Sequence, residues 1–140
     1  MIKIQELKQG DFVIAVFEDV ERRGVVAETA PDEKKVRVIT ENGKQDFWYA
    51  TENVFGIALS DAEMGRFGFD REILPDGAIK YKKNAFRLVI PRENDFSSVE
   101  MWYREDIRKD PNVHFVHQLQ NHFHQMTKIY LEEVAGTTII

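Results

Sequence analysis

The sequence predicts an α+β protein: a small N-terminal β-barrel, then an antiparallel sheet packed by a C-terminal helix. Three observations predict it. Residues 11–57 hold short runs rich in β-branched and aromatic residues, broken by turn signals. Three further runs of that kind fall between residues 78 and 104. After Pro111 the apolar residues change to helical spacing. The expected division is 1–59 for the barrel and 60–140 for the α+β unit, the two packed closely together, since 140 residues suffice for one domain or two very small ones.

In the first half the expected strands are Asp11–Phe17, Gly24–Thr29, Lys35–Thr40, Gln45–Tyr49 and Val54–Leu59. Lys35–Thr40 alternates polar and apolar, as a half-buried strand should. Ala30-Pro31-Asp32-Glu33 and Glu41-Asn42-Gly43-Lys44 separate strands. Asn42-Gly43 is a strong hairpin signal, because a type I′ turn needs positive φ at both central residues. Five strands in so short a span imply a bent sheet closing on itself. The opening Leu7-Lys8-Gln9-Gly10-Asp11-Phe12-Val13 resembles the first strand of SH3-like barrels. That fold hosts peptide binders, nucleic-acid binders and plain scaffolds, so it implies no single function.

In the second half, Ser60-Asp61-Ala62-Glu63 fits a capping box, with a short helix expected to about Phe67 and Gly68 as its left-handed cap. Strands are expected at Ala78–Lys82 and Ala85–Ile90, joined by Lys83-Asn84, and at Ser98–Arg104. Asp110 as N-cap and Pro111 at the first helical position predict a helix to about Thr127. Ile129–Val134 alternates well enough for a last strand, and Ala135–Ile140 reads as a tail or an added edge strand.

Composition narrows the function. Net charge is -5, which gives no global attraction for phosphate backbones. The absence of cysteine excludes disulfides, thiolate metal sites and thiol nucleophiles. Met1–Lys8 is charged throughout and offers no apolar core for a secretion signal. No run approaches the ~18 apolar residues of a membrane helix. A cytoplasmic protein with no membrane association is expected.

Phe47-Trp48-Tyr49 is the first candidate surface. In a strand Phe47 and Tyr49 share one face and Trp48 takes the other. Core packing explains two of the rings, and an exposed platform around Trp48 is the functional alternative. Trp102 and Tyr103 form a second aromatic candidate. Ala78–Arg92 contains Lys80, Lys82, Lys83, Arg87 and Arg92 with Tyr81 and Phe86 interleaved and no acid after Asp76 until Glu93. Such a hairpin suits single-stranded nucleic acid. Alternation gives the plainer expectation that Lys80 and Lys82 line a solvated face while Tyr81 packs inward.

All four histidines lie in His114–Met126. On a helix, Val116, Leu119, Phe123 and Met126 form one apolar stripe with Phe115 at its border. His114, His117, Asn121 and His124 should face the other way, hydrated, with His122 on the flank. No pair has the i, i+4 spacing that lets two rings converge on zinc. His117 and His124 are two turns apart, roughly 10.5 Å along the axis. No metal site, catalytic residue or cofactor is therefore expected. Gln120, at the edge of the stripe, should be hydrogen-bonded structurally.

The stretch "VHQLQNHF", the Gly10-Asp11-Phe12-Val13 opening and "LSDAEMGRFGF" together resemble small proteins of Bacteroidetes and their phages or prophages, to which no activity is assigned. Members of that group show a Gly-Ile-Pro-Leu-Thr to Leu-Gly-Phe segment and a His-Gln-Leu-Gln-Asn helix. Gly56-Ile57-Ala58-Leu59-Ser60 matches the first with Ala58 for proline, and Phe67-Gly68-Phe69 matches its end. His117-Gln118-Leu119-Gln120-Asn121 matches the second, while Met126-Thr127-Lys128 replaces the usual glycine-containing helix end. The resemblance implies a bacterial or phage origin and a motif role of unknown kind for His117, Gln120 and Asn121. The expected function is a non-enzymatic adaptor binding a protein or peptide partner. The alternatives are a nucleic-acid-binding module using the Lys80–Arg92 hairpin and a small-ligand-binding protein.

Overall fold

The computed structural model describes residues 2–109 and 111–134. The expected N-cap at Asp110 and the expected tail at Ala135–Ile140 lie outside the described residues. The chain is α+β, with two antiparallel sheets and a C-terminal helix. It divides into two compact units. One comprises Met1–Ala58 with Phe115–His117, the other Leu59–His114 with Gln118–Ile140.

In the first unit, strands β1 (Phe12–Phe17), β2 (Val20–Ala30), β3 (Lys35–Thr40), β4 (Gln45–Ala50) and β5 (Val54–Phe55) lie in the order β4-β3-β2-β1-β5. Every neighbouring pair is antiparallel. Alternate residues Val13, Ala15, Val26, Val36, Val38 and Tyr49 fill one face, with Val54, Ile4 and Leu7 completing the core. Gly10 holds φ +94, and the buried Asp11 accepts from the Lys8 N–H at 2.9 Å. Together they tie the turn that opens β1. A bulge between Val26 and Glu28 adds local twist to the long β2. Among the described residues no strand pairing joins β4 to β5, so the pairings show an antiparallel five-stranded sheet and not a closed barrel.

The type I′ signature falls elsewhere than expected. Glu18 (φ 50) and Asp19 (φ 62) make the two-residue β1–β2 hairpin. The β3–β4 connection is instead a four-residue loop with a 3-10 turn at Glu41–Gly43, where Glu41 and Gly43 take positive φ and Thr40 faces Gln45. The Asn-Gly dipeptide marks the loop correctly, but its register there leaves four residues to turn the chain.

In the second unit, α1 (Asp61–Arg66) is capped as expected: Ser60 Oγ accepts from the Glu63 N–H at 3.2 Å. Gly68 takes φ +80 after it. Strands β6 (Asp70–Ile73), β7 (Ile79–Lys83), β8 (Phe86–Ile90), β9 (Glu100–Tyr103) and β10 (Asp106–Lys109) form a meander in the order β10-β9-β8-β7-β6. Tyr81, Leu88 and Met101 stand in register on its inner face, each at most 1% exposed. Phe123 of α2 (Val116–Thr127) meets the Phe86 ring at 4.9 Å and Phe69 at 6.4 Å. Leu119 and Met126 are buried beside it on the same stripe. The Tyr81 hydroxyl donates to Asp61 at 2.7 Å, and burial, then that bond, pushes its pKa up to about 12.

Two expectations fail here. Helix α2 begins at Val116 rather than at Pro111. The backbone before it is already committed: Val116 donates to Ile57 O, Ala58 bridges Phe115, and His114 O accepts from Leu59. A helix over those residues would forfeit these bonds. Ile129–Val134 is not a strand. Ile129 and Tyr130 are exposed, Leu131 is buried, and Val134 donates to Arg66 O at 2.9 Å, so the segment closes on α1 and not on a sheet edge.

Two substitutions test these local accounts. A Cβ on Gly24 would lie 2.5 Å from Val38 Cγ1 and 2.8 Å from the Ile39 carbonyl oxygen. Gly24→Ala should therefore cost about 1–3 kcal/mol in denaturant unfolding, and a neutral result would contradict the close β2–β3 approach. Lys128 ends α2 at φ 65, a position that glycine fills without strain, and its N–H donates to His124 O at 2.8 Å. Lys128→Gly should raise stability by about 0.5–1 kcal/mol in the same unfolding measurement, since the Nζ bond it removes, to Gln125 O, is exposed.

Candidate interaction surfaces

Strand β4 is an edge of the first sheet. Opposite the buried Val36, Tyr49 is itself buried. Phe47 sits opposite the buried Val38 and on the same side, yet it is 56% exposed, two residues nearer than Tyr49 to the Glu41–Gly43 turn. The expected face-sharing of Phe47 and Tyr49 thus does not give shared burial. Trp48, 45% exposed, points to the other side, opposite Arg37. Arg37 donates to Asp46 at 2.8 Å and lies 3.4 Å from Glu28. The bond to Asp46 lifts its pKa above the ordinary value.

The backbone of this edge has a definite polarity. Thr51 N–H donates to Lys34 O at 3.0 Å. In an antiparallel ladder, that makes Val36/Tyr49, Val38/Phe47 and Thr40/Gln45 the pairs that exchange hydrogen bonds. The residues between them, Asp46, Trp48 and Ala50, turn their N–H and C=O groups outward.

The outer face of the second sheet carries the other candidates. Its register sets Lys82, Arg87, Trp102 and Ile107 side by side, and Lys80, Val89 and Glu100 in the next row. Lys80 is engaged by Glu72 at 2.9 Å. Lys83 belongs to the other face and donates to Phe67 O at 2.9 Å. Of the three lysines Lys82 alone is exposed. Trp102 is partly exposed and donates from Nε1 to Glu100 at 3.2 Å. Tyr103 faces away from Trp102, half-buried, with the Arg104 guanidinium 5.2 Å from its ring centre. Trp102, Lys80 and Lys82 therefore share a face that Tyr103 and Lys83 do not. The sequence motifs include Arg87 and Phe47 without saying which neighbours they meet. Strand alternation, applied across pairing partners, is the signal that places both.

The four imidazoles occupy four different settings. His114 is exposed, and its backbone N–H donates to Gln118 Oε1 at 2.8 Å. His117, expected in water, is 1% exposed. It belongs with the first unit, stacks on Phe115 at 5.9 Å, and places Nε2 3.5 Å from Glu6, while Nδ1 is buried with no hydrogen-bond partner among the described residues. One amphipathic stripe was expected. His117 is buried instead within the first unit, to which Phe115–His117 belongs. His122 Nδ1 lies 2.8 Å from the Arg108 guanidinium. His124 stacks on Tyr130 at 4.1 Å. Gln120 is buried and Asn121 half-buried. Among the described residues no three His, Asp or Glu side chains are grouped to hold a metal ion, and no helix is long and apolar enough to cross a membrane.

Burial pushes the His117 pKa below its ordinary 6.5, against the opposing pull of Glu6, and burial followed by Arg108 does the same for His122. The unfolded chain therefore binds protons more readily at these sites. The stability they confer is full above 6.5 and is lost as pH falls from there through the lowered folded values. The unfolding midpoint should drop between about pH 7 and pH 5, and drop less in His117→Phe. An unchanged slope in that variant would remove His117 as a source.

No protein family, curated protein or solved structure matches the chain.

Proposed function

We propose that this chain is a non-enzymatic interaction protein of the cytoplasm. On this reading its first unit is an SH3-like small barrel that binds a protein or peptide partner through β4. One observation carries the reading: Phe47 and Trp48, adjacent and both exposed, project from opposite sides of a strand that is unpaired on one edge among the described residues. Exposed rings there offer large apolar contact area at little conformational cost, the composition that favours binding hot spots. The strand order β4-β3-β2-β1-β5, with a 3-10 turn at Thr51–Asn53 between β4 and β5, supports the SH3-like assignment. The lack of cysteine supports a reducing compartment.

Nucleic acid is not our reading. The outer face of the second sheet intersperses Asp70, Glu72 and Glu100 with its cations, and one of its lysines is already ion-paired.

Affinity capture from a Bacteroidetes lysate tests the proposal. A partner should be recovered by the wild type and by Trp102→Ala, and reduced about ten-fold or more by Trp48→Ala. Equal recovery by all three proteins would exclude β4 as the binding surface.

A further inference from the structure

We infer that the occupant of β4 is a second copy of this chain, paired edge to edge about a two-fold axis through Trp48. The inference rests on the reading of β4 as an interaction surface and names what covers it.

The argument begins with the backbone. Asp46, Trp48 and Ala50 turn their hydrogen-bonding groups outward, at the spacing that another antiparallel strand requires. Natural edges are commonly blocked by proline, a bulge, or lysines pointing inward. Gln45–Ala50 has none of these.

The sequence of the edge is also self-complementary. A two-fold axis through Trp48 sets Trp48 against Trp48, Asp46 against Ala50, and Phe47 against Tyr49 of the other copy. Each outward residue then meets an outward residue, which yields roughly six main-chain hydrogen bonds, two for each facing pair. Shifting the register by one residue would set outward groups against inward ones and forfeit them. The side chains agree with this register. Phe47, 56% exposed in the single chain, gains a tyrosine neighbour across the new ladder. No like charges oppose each other. Lys44 and Glu52, both exposed, lie just outside the two ends of β4, so each end of the paired ladder brings opposite charges into one neighbourhood. Two five-stranded sheets would thus become one continuous sheet.

Sedimentation velocity on the full chain, from about 1 to 200 µM, tests the pairing. The wild type should associate to a dimer across this range. Ala50→Pro is the backbone probe. Ala50 has φ -63, which proline adopts without strain, and its N–H points outward, so the single chain loses no bond. Removing that donor from both copies should weaken the dimer about ten-fold or more. Lys44→Glu should weaken it too, and the double change Lys44→Glu with Glu52→Lys should restore it. Circular dichroism and thermal melting of each variant establish that the fold is retained. A wild type that stays monomeric to the top of the range overturns the inference. So does a dimer indifferent to Ala50→Pro and to the charge reversal, which would have to form through another surface. In either case, capture of a partner that still depends on Trp48 would leave the proposed function standing, so the two failures are distinguishable.

Discussion

The first unit depends on the register that sets Val36 opposite Tyr49 and Val38 opposite Phe47. Side chains alternate along a strand, so a slip of one residue in β4 would turn Trp48 toward the valine core and expel Tyr49. The slip is disfavoured because Val36, Val38 and Tyr49 together fill the inner face. Fixing that face also fixes everything outside it. Trp48 must point outward beside Arg37, and the backbone of Asp46, Trp48 and Ala50 must face away from β3. The exposed surface of β4 is thus a consequence of how the core packs.

In the second unit the corresponding constraint is the row Tyr81, Leu88 and Met101, covered in part by Phe123. Burying that row leaves Lys82, Arg87 and Trp102 outside. Their proximity follows from alternation alone and is weak grounds for a site. The acids on the same face strengthen that judgement, because each nearby carboxylate cancels part of the field a phosphate would feel. The arginines at the margins of the inner face have structural work. Arg71 holds Glu93 at 2.9 Å and Asp61 at 3.2 Å, while Arg108 donates to Gln125 at 2.9 Å and approaches His122.

Much of this was legible in the residues. β-Branched alternation located β1, β3 and β8, and Ser60 with Glu63 located α1. The apolar stripe of α2 was placed correctly for Leu119, Phe123 and Met126. Strands β6 and β10 were not legible, because Asp70–Ile73 and Asp106–Lys109 are charged edge strands with little to bury. Their identity comes from pairing with β7 and β9, which no local pattern encodes. The Glu18-Asp19 turn was missed because glutamate has no preference for positive φ and Asp19, which tolerates it, is followed by valine and not glycine. His117 was misplaced for a different reason. A helical wheel assumes one buried face along the whole helix, whereas the first turn of α2 packs with the first unit and the rest with the second.

That burial bears on how the His-Gln-Leu-Gln-Asn motif should be understood. Leu119 is fully buried, and His117 and Gln120 are nearly so. A neutral imidazole sealed beside Phe115, with one nitrogen near Glu6, is poorly placed to meet a solvent-borne ligand. Burying it costs free energy, since the Nδ1 atom finds no partner among the described residues. A phenylalanine there would avoid that cost. What histidine adds is a polar contact toward Glu6 at the point where α2 leaves the first unit. Polar groups buried in this way can specify one arrangement at some expense of stability. His117, Leu119 and Gln120 of the motif thus belong to the packed interior of the chain, and what they turn to solvent is too little to serve as a contact surface.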